Sequence, residues 1–430
     1  MNNILVKNGL IIDPNMGMEC VGSLYAEEGK VVCIETEQEV IGQAPAWKGV
    51  EEEHGVQVID ADGKWVVPGF IDLHVHFRDP GLEYKEDIFT GSAAAAKGGF
   101  TTVCCMPNTK PVIDSVETVK YIDEKAEKAC GVNVLSVGSI TRGQKGEELA
   151  DIKGMAELKT RSTDVMGRGI CAISEDGRSV MNSKVMLDGI IEGQKNGLMV
   201  FSHTEDETLA GTSIGEELFV ARDIMLAKEA GAPIHLCHIS TKGSLDIIRR
   251  AKAEGLRVTA ETGPHYFIFD KSARGDNGNR KMNPPLRNPE DVEAVKEALK
   301  DGTLDAIATD HAPHSKEEKE CGYEKAYNGV VGLETSFAAS YTALVKGGVL
   351  TPLELIDRMS ARPAEILGSD RGTIAVGSVA DMAIVDVNRE IEVTEATFAS
   401  KGKNSPFLGM KFFGEVEYTI VNGEVVYANK

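Results

Sequence analysis

The sequence has 430 residues, enough for one large barrel with an appended domain or for two to three smaller domains. Asp and Glu number 67 against 46 Lys and Arg, so the formal net charge is −21 at pH 7. A surface of that charge repels nucleic-acid phosphates and anionic lipid headgroups, so we expect neither nucleic acid nor membranes as partners. With 42% hydrophobic and 26% charged residues, the composition is typical of a folded globular protein.

The cysteine pattern and the N-terminus indicate a cellular compartment. Eight cysteines occur without a C-x-x-C pair or regular spacing, so neither a disulfide framework nor a zinc ribbon is predicted. The first residues lack a basic stretch followed by an apolar segment, and no uncharged apolar run reaches the roughly 18 residues that span a bilayer. We therefore expect a cytoplasmic protein.

Short β-type runs divided by turn signals occupy both ends of the chain. They extend to about residue 67 and begin again at residues 372–374. Near the C-terminus, Asn422-Gly423 is predicted to be a hairpin turn between the last two runs. The polar segment 44–55 is predicted to be a surface loop. We interpret residues 1–67 and 369–430 as the two halves of one small β domain.

The middle of the chain, residues 68–368, alternates apolar runs with helical patterns such as 183–196 and 289–300. Eight of the runs suit buried parallel strands. They cover residues 69–75, 101–106, 132–137, 169–173, 199–202, 234–237, 258–261 and 306–308. Eight such repeats predict an α/β fold, a closed (β/α)8 TIM barrel with a small β-sandwich built from both termini. Its active site should lie where the strands end.

Several candidate metal ligands fall at these predicted strand ends. His74 and His76 close the first strand, and alternation points both imidazoles to the same side. A chance pair of core histidines is the less favoured alternative, because two adjacent buried imidazoles are costly without a cation. His203 ends the fifth strand, His238 the sixth and Asp310 the eighth. Imidazoles and carboxylates suit Zn²⁺ or a similar divalent ion, and a carboxylate can also shuttle protons.

The roles of other polar residues near the predicted strand ends remain open. Spacing does not decide whether Glu175 or Asp176 would bridge two metals, and an ordinary Asp-Gly turn is an equal alternative. His235 is expected on the opposite strand face from the metal ligand that follows it. His265 fits a structural role as well as a substrate contact, and His54 lies in a charged loop without a predicted role.

Arg78 lies two positions beyond the histidine pair and is expected to face the same mouth, where a guanidinium suits a substrate carboxylate. The alternative is an ion pair with Asp79 or Asp87. For Asn108 and Asn283, spacing alone favours ordinary turn chemistry. The sequence contains no motif of zinc proteases, serine hydrolases, P-loop proteins or zinc deaminases.

Four segments carry a family resemblance. Residues 68–81 (PGFIDLHVHFRDPG), 106–109 (MPNT) and 308–314 (ATDHAPH) closely resemble class I dihydroorotases of the amidohydrolase superfamily. The segment 372–386 resembles the split β domain of that superfamily. The H-x-H pair alone indicates only an amidohydrolase, whereas its R-D-P-G extension and the D-H-A-P-H segment are specific to the subfamily.

The resemblance implies a full set of site residues. The implied metal ligands, for two Zn²⁺ per chain, are His74, His76, Asp176, His203, His238 and Asp310. The implied substrate-binding residues are His76, Arg78, Asn108, Asn283, His314, Asn328 and Gly329. In this way the resemblance favours Asp176 over Glu175, which spacing leaves open.

The resemblance also implies a reaction. This is reversible hydrolysis of L-dihydroorotate to N-carbamoyl-L-aspartate, the third step of de novo pyrimidine synthesis, by a metal-activated hydroxide with Asp310 as the catalytic proton shuttle. It further implies a homodimer and is compatible with an association with aspartate transcarbamoylase. Two alternatives are another cyclic-amide hydrolase (a dihydropyrimidinase, hydantoinase or allantoinase) and a catalytically silent scaffold for a transcarbamoylase.

Overall fold

The structure is a computed structural model that describes residues 3–42, 55–158 and 169–429. The strands in chain order are β1 (Asn3–Asp13), β2 (Met18–Glu27), β3 (Lys30–Thr36), β4 (Val40–Gly42), β5 (Val56–Asp60), β6 (Trp65–Pro68), β7 (Phe70–Val75), β8 (Phe100–Cys105), β9 (Asn133–Ser139), β10 (Ile170–Ser174), β11 (Val200–Ser202), β12 (Ile234–Leu236), β13 (Val258–Thr262), β14 (Ala306–Ile307), β15 (Met382–Glu392), β16 (Lys411–Val421) and β17 (Glu424–Ala428).

The α-helices in chain order are α1 (Ile88–Lys97), α2 (Val116–Ala126), α3 (Ile152–Glu157), α4 (Ser183–Lys195), α5 (Ser213–Ala230), α6 (Lys242–Ala253), α7 (Pro264–Ile268), α8 (Pro289–Asp301), α9 (Lys316–Lys319), α10 (Ser336–Ser340), α11 (Pro352–Ile356) and α12 (Arg362–Leu367). A π-helical turn joins α11 to α12. In the described part of the chain, no helix has the length and apolar character needed to cross a membrane.

Strands β7 to β14 form one parallel sheet in sequence order. The sheet closes on itself, because Val75 at the end of β7 bridges to His311 just beyond β14, and the backbone N–H of His76 donates to the His311 carbonyl at 2.8 Å. Every residue of β7 and β8 is buried, as expected for strands that are covered on both faces. The predicted TIM barrel is confirmed, and each of its eight strands lies within two residues of the predicted position.

The helices around the barrel begin and end at residues suited to those positions. Helix α8 has Pro289 at its first position, and Gly302 ends it with φ of 81°. Proline is favoured there because its φ is already helical, whereas a left-handed end favours glycine. Asp87 caps α1 by accepting a hydrogen bond from the Thr90 N–H. These local signals explain why helical patterns were readable in the sequence.

A second sheet of nine strands combines both ends of the chain, with β6 pairing antiparallel to β15. Its apolar core is separate from that of the barrel and contains residues from both ends of the chain, such as Ile4, Leu24 and Ile384. The hairpin between β16 and β17 turns at Asn422 and Gly423, whose φ values of 50° and 73° are those of a type I′ turn. The predicted β-sandwich from both termini is confirmed, and β6 leads directly into β7.

One predicted strand of the terminal sheet is wrong. Residues 372–374 form no strand, because their polar groups bind a side chain instead: the Ile374 N–H and the Thr373 hydroxyl donate to Asp13 Oδ2 at 2.7 and 2.8 Å. The predicted loop 44–55 lies outside the described residues apart from Gly55, and so does His54. The domain boundaries at 67/68 and 368/369 stay predictions.

Candidate metal centre and active site

The six candidate metal ligands meet at the carboxyl ends of the barrel strands. They lie on or directly beyond five strands, β7, β10, β11, β12 and β14, and all of them are buried. This is the end of a TIM barrel where active sites are built. The residues are His74, His76, Asp176, His203, His238 and Asp310.

Asp176 lies between two pairs of histidines. Its Oδ1 atom is 3.3 Å from Nε2 of His74 and 3.3 Å from Nε2 of His76. Its Oδ2 atom is 3.0 Å from Nδ1 of His203 and 3.3 Å from Nε2 of His238. One carboxylate oxygen therefore faces each pair of histidines.

The separations between these donor atoms fit metal coordination. Ligand atoms on a tetrahedron with bonds of about 2.0–2.1 Å lie about 3.3 Å apart. Asp310 Oδ1 extends the first group, at 3.1 Å from His76 Nε2 and 3.6 Å from His74 Nε2. The fully buried His74 Nε2 finds no hydrogen-bond partner within the described ranges. Imidazole nitrogens with carboxylate oxygens suit Zn²⁺ and similar ions, so these residues fit a metal centre.

The electrostatics of the cluster favour added positive charge. Burial opposes the ionisation of Asp176 and Asp310, but the surrounding imidazoles outweigh it and lower both pKa values, that of Asp310 to about 2. Burial likewise opposes protonation of His203, but Asp176 and Glu205 raise its pKa to about 10. Two ionised carboxylates in a buried site attract a cation, whether a proton or a metal ion.

A buried glutamate on β13 orients the first histidine. Glu261 Oε1 lies 3.0 Å from His74 Nδ1, and its other oxygen lies 3.2 Å from His235 Nε2. Burial opposes the charge of Glu261, but the two histidines lower its pKa to about 2. A carboxylate on the second nitrogen of a metal-binding histidine fixes its tautomer and raises its basicity. Sequence reasoning missed Glu261 and its contact with His235, which was expected only to face away from the metal ligand that follows it.

Two other candidate ligands, His76 and His203, also have supporting contacts on a ring nitrogen. His76 Nδ1 is 2.8 Å from Asn108 Oδ1, and His203 Nε2 is 3.4 Å from Glu205 Oε2. The Asn283 amide donates to the same glutamate oxygen at 2.8 Å. Two of the three asparagines implied as substrate-binding residues, Asn108 and Asn283, therefore support candidate metal ligands, the second through Glu205. Glu205 was missed as a supporting residue.

We expect Glu261→Gln to weaken metal binding by about 10–100-fold, because an amide no longer stabilises the Nδ1 proton of His74 as a carboxylate does. Competition between the protein and a chelator measures the affinity. Glu254→Gln is a matched control, since Glu254 is an exposed partner of Lys228. Equal metal affinity in both variants would contradict the role of Glu261.

A cavity of about 320 Å³ opens above the candidate metal ligands. All implied substrate-binding residues line it, as do all implied ligands except His74, which lies deeper. Residues that sequence reasoning did not single out also line it. These are Lys85, Gly177, Ala312 and Tyr327. His265 is buried but does not line this cavity.

Arg78 lies in the cavity wall with no acidic partner in the described parts of the chain. Its side chain is buried, its Nε donates to the Pro313 carbonyl at 3.3 Å, and no carboxylate of the described residues lies within ion-pair distance. The predicted alternative is excluded because Asp79 pairs with Lys125 at 2.6 Å and Asp87 pairs with Lys401. The guanidinium is therefore available to an anionic ligand.

His314, Asn328 and Gly329 form the part of the wall next to Arg78, whose Nη2 lies 3.4 Å from His314 Nε2. His314 Nε2 lies 2.8 Å from the Asn328 carbonyl. Gly329 has φ of 133°, and a Cβ there would lie 2.8 Å from the Ala312 carbonyl oxygen, so this turn requires glycine. The Gly329 N–H already donates to the Lys281 carbonyl at 3.0 Å.

The sequence profile of the amidohydrolase family matches residues 65–426. The chain belongs to this family. It is similar along its whole length to proteins named dihydroorotase. It is 48% identical over 444 residues to the one from Geobacter metallireducens, covering 99% of each chain, and 46% identical over 447 residues to the one from Trichlorobacter lovleyi, covering 100% of each.

Solved structures share the fold at lower identity. The L-hydantoinase (dihydropyrimidinase) from Arthrobacter aurescens superimposes with a TM-score of 0.84 at 26% identity, covering 100% of this chain and 96% of that one. The dihydropyrimidinase from Brevibacillus agri gives 0.84 at 23% identity, covering 100% and 95%. The same barrel and terminal sheet thus occur in enzymes named for other cyclic amides.

Proposed function

We propose that this protein is a dihydroorotase, which hydrolyses the cyclic amide of L-dihydroorotate reversibly to N-carbamoyl-L-aspartate in pyrimidine biosynthesis. The observation that carries the choice of substrate is Arg78, a buried guanidinium that lines the cavity without an ion pair among the described residues. A carboxylate on the substrate ring would give it a partner. The full-length similarity to proteins named dihydroorotase supports the same choice.

We propose two Zn²⁺ ions per chain, one at each side of Asp176. His74, His76 and Asp310 would hold the first, His203 and His238 the second, and Asp176 both. When bound, such ions supply Lewis-acid polarisation of the amide carbonyl and ease the deprotonation of water. The 3.0–3.6 Å spacing of the donor atoms supports this assignment.

Asp310 is the proposed proton shuttle. Its pKa of about 2 keeps it ionised at neutral pH, so it is ready to accept a proton from the attacking water. It would then deliver that proton to the leaving ring nitrogen. Arg78, Asn108 and His314 would hold the ring carboxylate. In the direction of ring closure, this places the ureido nitrogen against the reacting carboxyl carbon.

The remaining proposals concern the cellular location of the protein and its partners. We propose cytoplasmic location, a homodimer and a capacity to associate with aspartate transcarbamoylase. All eight cysteines are free, which supports a reducing compartment. Size-exclusion chromatography with light scattering tests the oligomeric state, and copurification with the transcarbamoylase tests the association.

Parallel assays with dihydroorotate, hydantoin, dihydrouracil and allantoin test the proposed reaction. We expect turnover of dihydroorotate to exceed that of the other three, because they carry no ring carboxylate for Arg78. Preferred turnover of hydantoin or dihydrouracil would assign a different cyclic-amide hydrolase. A protein that binds no metal and turns over none of the four would be a silent scaffold.

We expect Arg78→Met to lower kcat/KM for dihydroorotate by about 100-fold, mainly through KM, because a charge-assisted bidentate contact is lost. Initial rates over a range of substrate concentrations give both constants. Arg142→Met is a control, since Arg142 is exposed and lies outside the cavity. An unchanged KM in Arg78→Met would remove the argument for a carboxylate-bearing substrate.

A further inference from the structure

The ring of His314 lies between two different sets of groups. Its Nε2 atom is 2.8 Å from the Asn328 carbonyl oxygen and 3.4 Å from Nη2 of Arg78. Its Nδ1 atom is 3.2 Å from the Lys85 ammonium and 3.2 Å from Glu318 Oε2. One ring nitrogen thus faces the cavity wall near Arg78, and the other faces a lysine–glutamate pair.

These contacts define where the ring carries its proton. A carbonyl oxygen only accepts, so the short contact to Asn328 requires a proton on Nε2. Nδ1 of a neutral ring then needs a donor, and Lys85 supplies one. Lys85 also pairs with Glu318 Oε1 at 3.0 Å, which occupies the carboxylate that would otherwise attract a proton to Nδ1.

Burial and nearby positive charge keep the ring neutral. Burial, Arg78 and Lys85 together lower the pKa of His314 to about 3, and the buried Lys319 adds to this effect. The Tyr327 ring stacks on the imidazole at 5.6 Å between centroids. A second cavity of about 110 Å³ borders the same ring. Besides Lys85 and Lys319, the charged residues that line this cavity are Lys316, Lys401, Lys403, Glu320 and Glu395.

We propose that Lys85, paired with Glu318, is a positioning residue that holds the proton of His314 on Nε2, where the N–H that donates to the Asn328 carbonyl also faces the substrate carboxylate beside Arg78 and is shared with it. The inference rests on the proposed function for its substrate, but the proton position is a property of the protein alone. Lys85 is buried, and Tyr84 and Tyr327 flank its ammonium at 5.5 and 5.1 Å from their ring centroids.

Removing Lys85 has a pH-dependent consequence. In Lys85→Met one cation is lost and Glu318 faces Nδ1 without its lysine, so the His314 pKa rises from about 3, while burial and Arg78 still hold it below its ordinary value. Below the raised pKa both nitrogens carry protons, and Nε2 still donates. Above it the ring keeps one proton, which Glu318 holds on Nδ1 because a charge-assisted hydrogen bond is the stronger. The bare Nε2 then repels a carboxylate.

We expect KM of Lys85→Met for dihydroorotate to stay within about twofold of the unmodified protein near pH 5.5 and to rise about tenfold near pH 8.5, with kcat little changed. Glu318→Gln in the same chain should restore KM at the higher pH, because a glutamine amide donates to Nδ1. Lys85→Arg should behave like the unmodified protein, and so should Lys316→Met, an exposed lysine of α9 paired with Glu320.

Nitrogen-15 NMR of histidine-labelled protein reads the proton position without substrate. The His314 signals, assigned by their loss in His314→Gln, should show a protonated Nε2 in the unmodified protein and a bare Nε2 in Lys85→Met at high pH. A KM that rises equally at every pH, or that Glu318→Gln does not restore, would overturn the inference, as would an unchanged Nε2 signal. Failure of the unmodified protein to turn over dihydroorotate would instead overturn the proposed function.

Discussion

Replacing Asp310 by Asn should leave the metal content unchanged and lower kcat for dihydroorotate by about 10³-fold or more. The variant keeps an oxygen near His76 and His74, but an amide cannot take up the proton of the attacking water. The carboxylate Oδ1 lies 3.1 Å from His76 Nε2, at the floor of the cavity. Elemental analysis gives the metal content, and initial rates at saturating substrate give kcat.

Asp305→Asn is the matched control for this experiment. Asp305 directly precedes β14 at its other end, where Oδ2 accepts from the Ala260 N–H at 2.9 Å and from Lys252 at 2.6 Å. We expect this variant to lose about 1 kcal/mol of unfolding free energy and to keep its kcat. Near-normal turnover in Asp310→Asn would exclude the proposed proton shuttle, whereas a joint loss in both variants would indicate damage to the strand.

The sequence predicted the parts of the site that depend on local periodicity. Alternation along one strand sufficed to place His74 and His76 together, and the order of the strands brought His203, His238 and Asp310 to the same end of the barrel. These predictions needed only the rule that parallel strands in a barrel end at one face. The terminal β domain was readable for a similar reason, because its turn signals are local.

Contacts between distant segments were not readable in the same way. Glu261 and Lys85 support histidines that lie 187 and 229 positions away in the chain, and no spacing rule connects such pairs. Arg78 does lie at the predicted barrel mouth, but not because of strand alternation. The strand ends at Val75, and Arg78 itself has φ of 62°. Alternation does not hold in such a turn.

The proposed site constrains where the acidic residues of the chain can lie. The proposed substrates are anions, and a uniformly negative surface would repel them. The cavity wall instead carries Arg78 and Lys85, and the proposed metal ions would offset the charges of Asp176 and Asp310. The proposed function therefore requires the excess of acidic residues to lie mainly away from the barrel mouth, where it does not oppose substrate entry.

Asp176→Asn should lose at least one of the two proposed metal ions and about 10⁴-fold or more of the activity. An amide presents a single neutral acceptor atom, so it cannot give one oxygen to each histidine pair as Asp176 does at 3.0–3.3 Å. Without the metal, the pKa of the water nucleophile stays at its bulk value, far above the near-neutral value that a bound divalent ion would give it. Elemental analysis and the dihydroorotate assay measure the two losses on the same sample.

Glu175→Gln provides the closest control, because the two carboxylates are neighbours that spacing could not tell apart. Glu175 turns away from the histidines and accepts hydrogen bonds from the Thr141 N–H at 3.0 Å and the Ser139 hydroxyl at 3.2 Å. We expect this variant to lose about 1–3 kcal/mol of unfolding free energy but none of its metal. Loss of metal in Glu175→Gln, with the full metal content retained in Asp176→Asn, would assign the bridging role to Glu175. It would also contradict the interpretation of the site as two groups of ligands around Asp176.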